Sequence, residues 1–172
     1  MTTQKAVRSD SLKVMSFAMT RCTKAHAIDF INKGGLSVIF GFLMRQDPTK
    51  NKRSLKRQTA EDVQQDEEHC LSIIWNLIVA LETDASNSVN EKICLERLCF
   101  KLIEGRFDKL AKLVTIHVRQ FSLVSEFDLA DFKTAEEIGY LEADFGLDML
   151  ALVDCIVAYV LQSDTCKRLM GD

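Results

Sequence analysis

The residues AHAIDFINKGGLSVIFGFLM, at positions 25–44, decide the fold of this chain. They predict a short helix with a polar face, a break at Gly34-Gly35 and a second helix that is mostly apolar. The apolar face of the second helix consists of Leu36, Ile39, Phe40 and Leu43. Such a helix pair cannot bury its apolar side alone and needs another helix pair on each side. The stretch therefore predicts a stack of helical repeats, an α-solenoid.

The rest of the chain continues this helical pattern. Its 172 residues include one proline and seven glycines, so few turns interrupt the helices. Ser9-Asp10-Ser11 predicts the cap of a first helix, and residues 61–81 predict one long helix whose second half is apolar on every side. A helix of that kind lies in the middle of a packed structure. The predicted fold is all-α, in a single domain that spans residues 1–172.

Charge is distributed unevenly, although the formal net charge is only −3. Residues 46–60 are predicted to form a basic loop, and residues 126–148 form an acidic segment with eight carboxylates and one lysine. The basic side chains of the loop are Lys50, Lys52, Arg53, Lys56 and Arg57. Such a run is typical of a solvated loop, or of a nuclear-import signal that presents extended basic side chains to a receptor. Direct nucleic-acid binding is disfavoured, because no aromatic side chains are interleaved to stack on bases.

No motif in the sequence indicates an enzyme or a cofactor site. The chain lacks a nucleophile elbow, a phosphate-binding glycine loop and an H-E-x-x-H zinc motif. The run Glu67-Glu68-His69-Cys70 is a weak metal candidate, because four tetrahedral ligands at suitable spacing are missing. The six cysteines show no C-x-x-C spacing, which favours a reducing compartment. The apolar runs 70–81 and 147–161 are shorter than a membrane span of about 20 residues, so no membrane association is expected.

Two neighbouring residues in the long apolar helix are candidates for binding a partner. In peptide-binding helical repeats, an asparagine on the inner helix clamps the backbone of an extended ligand, and a tryptophan packs beside it. Trp75 and Asn76 have this arrangement. The other interpretation, which we favour, is that Asn76 satisfies its amide with a hydrogen bond in the core or between helices.

A longer series of residues resembles one family of proteins. The matching stretches are Ser11-Leu12-Lys13-Val14 with Ala18-Met19, residues 24–44, Glu67-Glu68-His69 with Ser72-Ile73, Phe100-Lys101 after Leu95 and Leu98, Glu136-Glu137, Tyr140-Leu141, and Gly146-Leu147 ahead of Leu150. Their order and approximate spacing are similar to the C-terminal part of the beta-catenin-like protein 1 family. The resemblance implies an armadillo- or HEAT-like right-handed α-solenoid with about three to four irregular repeats of roughly 40 residues.

The resemblance also implies a function. Members of this family are nuclear, non-catalytic scaffolds of the pre-mRNA splicing machinery, associated with the Prp-nineteen complex, and they bind basic, localisation-signal-like segments of splicing factors. The partner-binding residues are predicted from this chain's own residues and charge, not from the family, and they are Trp75, Asn76, Glu136, Glu137, Glu142, Asp144 and Asp148. Two alternatives remain open, a C-terminal capping and homodimerisation module without a peptide groove of its own, and a repeat protein similar to nuclear-import adaptors.

Overall fold

A computed structural model of the chain describes residues 3–44, 59–82, 88–125 and 147–171. These residues form helices and connecting turns without a β-strand, which confirms the all-α prediction for this part of the chain. The helices are α1 (Thr3–Met19), α2 (Lys24–Asn32), α3 (Gly35–Leu43), α4 (Ala60–Glu82), α5 (Val89–Ile103), α6 (Asp108–Ser125), α7 (Leu147–Gln162) and α8 (Asp164–Met170).

The chain divides into two compact units, Met1–Lys101 and Leu102–Asp172. The first unit contains α1 to α4 and most of α5, and the second contains α6 to α8. A single domain over residues 1–172, stacked as a right-handed solenoid, stays a prediction. Most of the basic loop and all but the last two residues of the acidic segment lie outside the described residues.

The second half of α4 forms the centre of the first unit. The helices α1, α2 and α3 all pack against α4. The side chains of α4 that are at most 2% exposed are Cys70, Leu71, Ile73, Ile74, Leu77, Ile78 and Leu81. Full burial of one large aliphatic side chain contributes about 1.5–3 kcal/mol. The prediction that this helix lies in the middle of a packed structure is therefore confirmed for the first unit.

The first helix begins earlier than the sequence predicts. Ser9-Asp10-Ser11 lies inside α1 instead of capping it, so this prediction is wrong. The Ser9 hydroxyl donates a hydrogen bond to the Asp66 carboxylate on α4, at 3.2 Å. Asp66 itself is buried. The Ser9 hydroxyl is therefore bonded to a neighbouring helix and does not cap α1. The helix continues through this residue.

The turn between α2 and α3 depends on both glycines that the sequence singles out. Gly34 has a φ of 83°, in the left-handed region where a side chain is strained. Its backbone N–H donates to the Ile31 carbonyl at 3.1 Å, which closes the end of α2. At Gly35 an added Cβ would collide with the ring of Phe30. With a larger residue at position 35, the Phe30 ring would have to move away from the backbone.

Polar contacts fix α5 to α2. Arg97 donates to the Asn32 side-chain oxygen at 2.8 Å and to the Ile31 carbonyl at 3.1 Å, near the end of α2. Lys24 forms an ion pair with Glu91 at 3.3 Å. Burial alone would raise the pKa of Glu91, but hydrogen bonds from Lys24 and Ser88 outweigh it and hold this pKa below its ordinary value.

In the second unit, α6 packs against α7, and α8 packs against α7. The buried side chains between them are Leu113, Ile116, Gln120, Met149, Val153, Ile156, Val160 and Cys166. The Gln120 amide donates to the Met149 sulfur at 3.0 Å. In the described ranges no single helix has the length and apolar character to cross a membrane; α7 and α8 meet these criteria only together, and they are bent by 66°.

We predict opposite effects of alanine at two glycines of this turn and helix. Gly34→Ala places a side chain in the left-handed region and should lower the free energy of unfolding by about 1 kcal/mol. Gly41→Ala lies inside α3, where an added Cβ meets no other atom, and should raise it by about 0.5–1 kcal/mol. Urea unfolding of both variants measures the difference. Equal effects of the two substitutions would contradict the left-handed turn.

Candidate functional site

An open groove of about 690 Å³ lies between α1 and the α2–α3 pair. Its apolar walls come from Leu12, Met15 and Met19 on α1, and from Val38, Ile39 and Phe42 on α3. Leu12, Met15 and Met19 recur at three- and four-residue spacing, and Phe42 follows Ile39 and Val38 by three and four positions, which places each set on one face of its helix. Both helices pack against α4, and the two sets line the same groove. The groove is therefore a direct result of how α1 and α3 are attached.

Phe30 lines the same groove from α2. Its ring lies against the backbone at Gly35, in the space that a Cβ at this position would fill. Phe42 is half-buried, whereas Val38 is 56% exposed. The groove thus presents aromatic and aliphatic surface to solvent in a fixed arrangement.

Polar side chains of α2 lie along one edge of the groove. His26, Asp29 and Lys33 belong to its lining. Asp29 and Lys33 form an ion pair at 2.7 Å, but both side chains are mostly exposed. A solvent-exposed pair of this spacing contributes about 0.3–0.5 kcal/mol. The edge charges neutralise each other, so the groove as a whole is suited to apolar groups.

The lining residues do not form a catalytic arrangement of nucleophile, base and oxyanion donor. The methionine side chains Met15 and Met19 are flexible and polarisable, and such side chains adapt to differently shaped partners. A concave apolar surface with a few polar groups at its edge is typical of sites that bind a peptide or a small apolar ligand. The geometry is that of a binding site.

The residues predicted to clamp a peptide lie elsewhere in the first unit. Trp75 and Asn76 are half-buried on α4, and neither lines the groove. The Asn76 amide donates to the Ser72 carbonyl at 2.8 Å and lies 3.4 Å from the Ser72 hydroxyl. This hydrogen bond is within α4, not between helices. Peptide clamping by Asn76 stays a prediction.

Of the predicted acidic site, the structure describes Asp148. It is exposed in the first turn of α7, where the positive end of the helix dipole favours a carboxylate. The remaining acidic residues of this prediction and the predicted basic residues lie outside the described residues: Glu136, Glu137, Glu142, Asp144, Lys50, Lys52, Arg53, Lys56 and Arg57.

Sequence reasoning did not find the groove. The signal was present in α3, because Val38 and Phe42 are apolar but do not belong to the core face that was predicted. A helix with apolar residues beyond its core face buries them against a second element or leaves them for a partner.

His69, part of the weak metal candidate, lies beside an aromatic ring. Its ring centroid is 6.4 Å from that of Phe17 on α1. The Nε2 atom of His69 is buried and has no hydrogen-bond partner. Cys70 donates its thiol hydrogen toward the Ile39 carbonyl at 3.7 Å. The part of the chain that the structure describes contains no group of three potential metal ligands.

Burial lowers the pKa of His69, and the negative charge of Glu68 only partly opposes this effect. The folded protein therefore binds fewer protons at His69 than the unfolded chain does. We predict that the stability contributed by the neutral ring is present above the ordinary histidine pKa of 6.5 and is lost as the pH falls below it.

His69→Gln should accordingly lose less stability than the unaltered protein when the pH falls from 7.5 to 5.5. Urea unfolding at each pH measures the difference, and the same comparison between pH 7.5 and 8.5 serves as the control. Identical losses in both proteins on acidification would show that folding does not lower the pKa of His69.

For the groove, we predict that a neutral apolar dye such as Nile red binds the protein and that Val38→Asp weakens this binding about tenfold, because a charge desolvated in an apolar groove is costly. Ser37→Asp is the matched control: Ser37 is exposed on the same helix but does not line the groove. Fluorescence titration measures both variants. An equal loss in the two would place the dye elsewhere.

Comparison with known proteins bears on the whole chain. The family model described as "Catenin-beta-like, Arm-motif containing nuclear" matches residues 1–169. This match confirms the family resemblance that the sequence motifs indicate. Neither a curated protein nor a solved structure matches the chain significantly. The chain belongs to the catenin-beta-like family of nuclear proteins that contain Arm motifs.

Proposed function

We propose that this chain is a non-catalytic protein–protein scaffold of the pre-mRNA splicing machinery, associated with the Prp-nineteen complex, and that it binds basic, localisation-signal-like segments of splicing factors. The observation that carries the proposal is the open apolar groove of the first unit, in a chain that belongs to a nuclear Arm-motif family. Such a groove suits the apolar side chains of a partner segment.

The acidic segment supplies the attraction for basic residues in this proposal. Residues 126–148 contain eight carboxylates and one lysine. We assign partner binding within it to Glu136, Glu137, Glu142, Asp144 and Asp148. Complementary charge accelerates encounter and selects among partners, and it weakens with salt because the Debye length is about 10 Å at 0.1 M.

The architecture completes the proposal. We infer that the helices stack as a right-handed α-solenoid of about three to four irregular repeats, because short-turn helix pairs with open apolar faces are stabilised by stacking. The Arm-motif family and the α2–α3 pair support this inference. In the same proposal, the basic run from Lys50 to Arg57 acts as the signal for nuclear import.

We predict that the chain binds a basic peptide from a splicing factor at 50 mM salt and that neutralising the acidic segment weakens this binding about tenfold, because several attractive pairs are lost together. The variant carries Glu136→Gln, Glu137→Gln, Glu142→Gln, Asp144→Asn and Asp148→Asn. Fluorescence anisotropy measures the dissociation constant at 50 and 200 mM salt. The variant should also depend less on salt than the unaltered chain.

The matched control removes the same number of carboxylates from exposed positions elsewhere. It carries Asp10→Asn, Glu61→Gln, Glu68→Gln, Glu82→Gln and Asp164→Asn, all of them exposed. This control should keep its affinity within about twofold. No binding at low salt, or an equal loss in the control, would contradict the proposal that residues 126–148 attract the partner.

A further inference from the structure

The helices α6 and α7 of the second unit form an antiparallel pair. Gln120 contacts Met149, and His117 contacts Asp154, so positions along α6 rise as positions along α7 fall. The pair buries one side through its core residues. The opposite side of the pair is an outer face that the core does not use.

This outer face is apolar on α6. Val114, Val118 and Phe121 are 52%, 56% and 56% exposed. Their spacing of four and three residues places them in one stripe along two turns of the helix. The charged residues of α6 other than His117 are Asp108, Lys109, Lys112 and Arg119. None of these stands three, four or seven positions from Val114, so they lie on other sides of the helix.

The α7 side of the face is similar. Ala158 and Leu161 follow Asp154 at four and seven positions, and both are exposed. Small residues such as alanine allow another helix to approach closely. The stripes of α6 and α7 run side by side, because His117 and Asp154 join them. The exposed apolar side chains of the two helices therefore lie on neighbouring strips of one outer face.

One hydrogen-bonded pair of side chains interrupts the apolar surface. The Nδ1 atom of His117 lies 2.7 Å from an Asp154 carboxylate oxygen. The His117 ring also stacks on Phe121, with centroids 6.0 Å apart and planes 10° from parallel. The side chain of Asp154 remains 54% exposed. The carboxylate is therefore held in place at the middle of the face, and still accessible to a second donor.

We propose that this α6–α7 face, formed by Val114, His117, Val118, Phe121, Asp154 and Leu161, docks an amphipathic helix of a partner protein. The apolar stripe of that helix is interrupted at its centre by one lysine or arginine, which pairs with Asp154. A helix fits because two neighbouring helices present apolar side chains along their length, and the apolar stripe of a third helix packs on such a surface.

Charge decides which helix the face accepts. A docked helix removes Asp154 from water, and a buried carboxylate is costly unless it gains hydrogen bonds and a cation. Arginine or lysine supplies both. A second copy of this chain that bound through its own α6–α7 face would not supply a lysine or arginine, since this face has none. A partner with a basic residue in its stripe is therefore the better complement.

The inference goes beyond the proposed function in naming a second surface and the kind of helix it binds. Its probes are three synthetic 18-residue amphipathic helices with leucines at heptad spacing. They carry arginine, leucine or glutamate at the centre of the apolar stripe. They contain no localisation-signal-like run, and the variants below leave residues 126–148 unchanged, so this test and that of the acidic segment can fail separately.

In fluorescence anisotropy, the arginine peptide should bind at least about tenfold more tightly than the glutamate peptide. Val118→Asp should weaken it at least about tenfold, since a charge then lies in the apolar stripe. Thr115→Asp, an exposed position of the same helix, is the matched control and should keep the affinity within about twofold. Circular dichroism checks that each variant keeps its helices.

Asp154→Lys is the decisive variant, because its side chain is more than half exposed and its replacement need not disturb the core. It should reverse the order, so that the glutamate peptide binds more tightly than the arginine peptide. Failure of all three peptides to bind the unaltered chain, or an unchanged order in Asp154→Lys, would overturn the proposal. So would a self-association in sedimentation that Val118→Asp abolishes, because a second copy would then occupy the face.

Discussion

The first unit depends on one constraint, the burial of a helix that is apolar on most sides in its second half. From Cys70 to Leu81, α4 offers its neighbours apolar side chains in nearly every direction. A helix of this kind is stable in water only if other helices cover it on several sides. The helices α1, α2 and α3 provide that cover, and their positions follow from the need to reach α4.

The groove follows from the same constraint. Both α1 and the α2–α3 pair are attached to α4, but each has more apolar residues than α4 can cover. The surplus, Met15 on one side and Val38 with Phe42 on the other, is left facing the gap between them. Apolar surface that stays exposed in a groove lowers solubility unless a partner covers it. The exposed residues of this groove therefore indicate a binding role.

The sequence predicts the helices of this fold more clearly than the contacts between them. The α2–α3 turn was predictable because Gly34 and Gly35 interrupt two periodic patterns, and α4 because its apolar run is long. The start of α1 was not predictable. Ser9 resembles a helix cap in the sequence, but its hydroxyl donates a hydrogen bond to Asp66, 57 residues away in the chain. The left-handed backbone of Arg106 and Phe107 was not predictable either. These two residues follow Gly105 and have φ values of 59° and 64°. Side-chain partners distant in sequence, and strain at residues other than glycine, leave no periodic signal.

The candidate surfaces show the same division between pattern and geometry. Composition alone locates the charged segments, but charge there attracts many partners at long range and selects few of them. A surface selects one partner over another only if binding the wrong partner costs free energy. At the α6–α7 face that cost is the desolvation of Asp154, which His117 holds in place at 2.7 Å. The sequence does not predict that these two residues pair, since they are separated by 37 positions. Only the antiparallel packing of two helices brings them together in the middle of an apolar surface, where a single carboxylate can distinguish one helix from another.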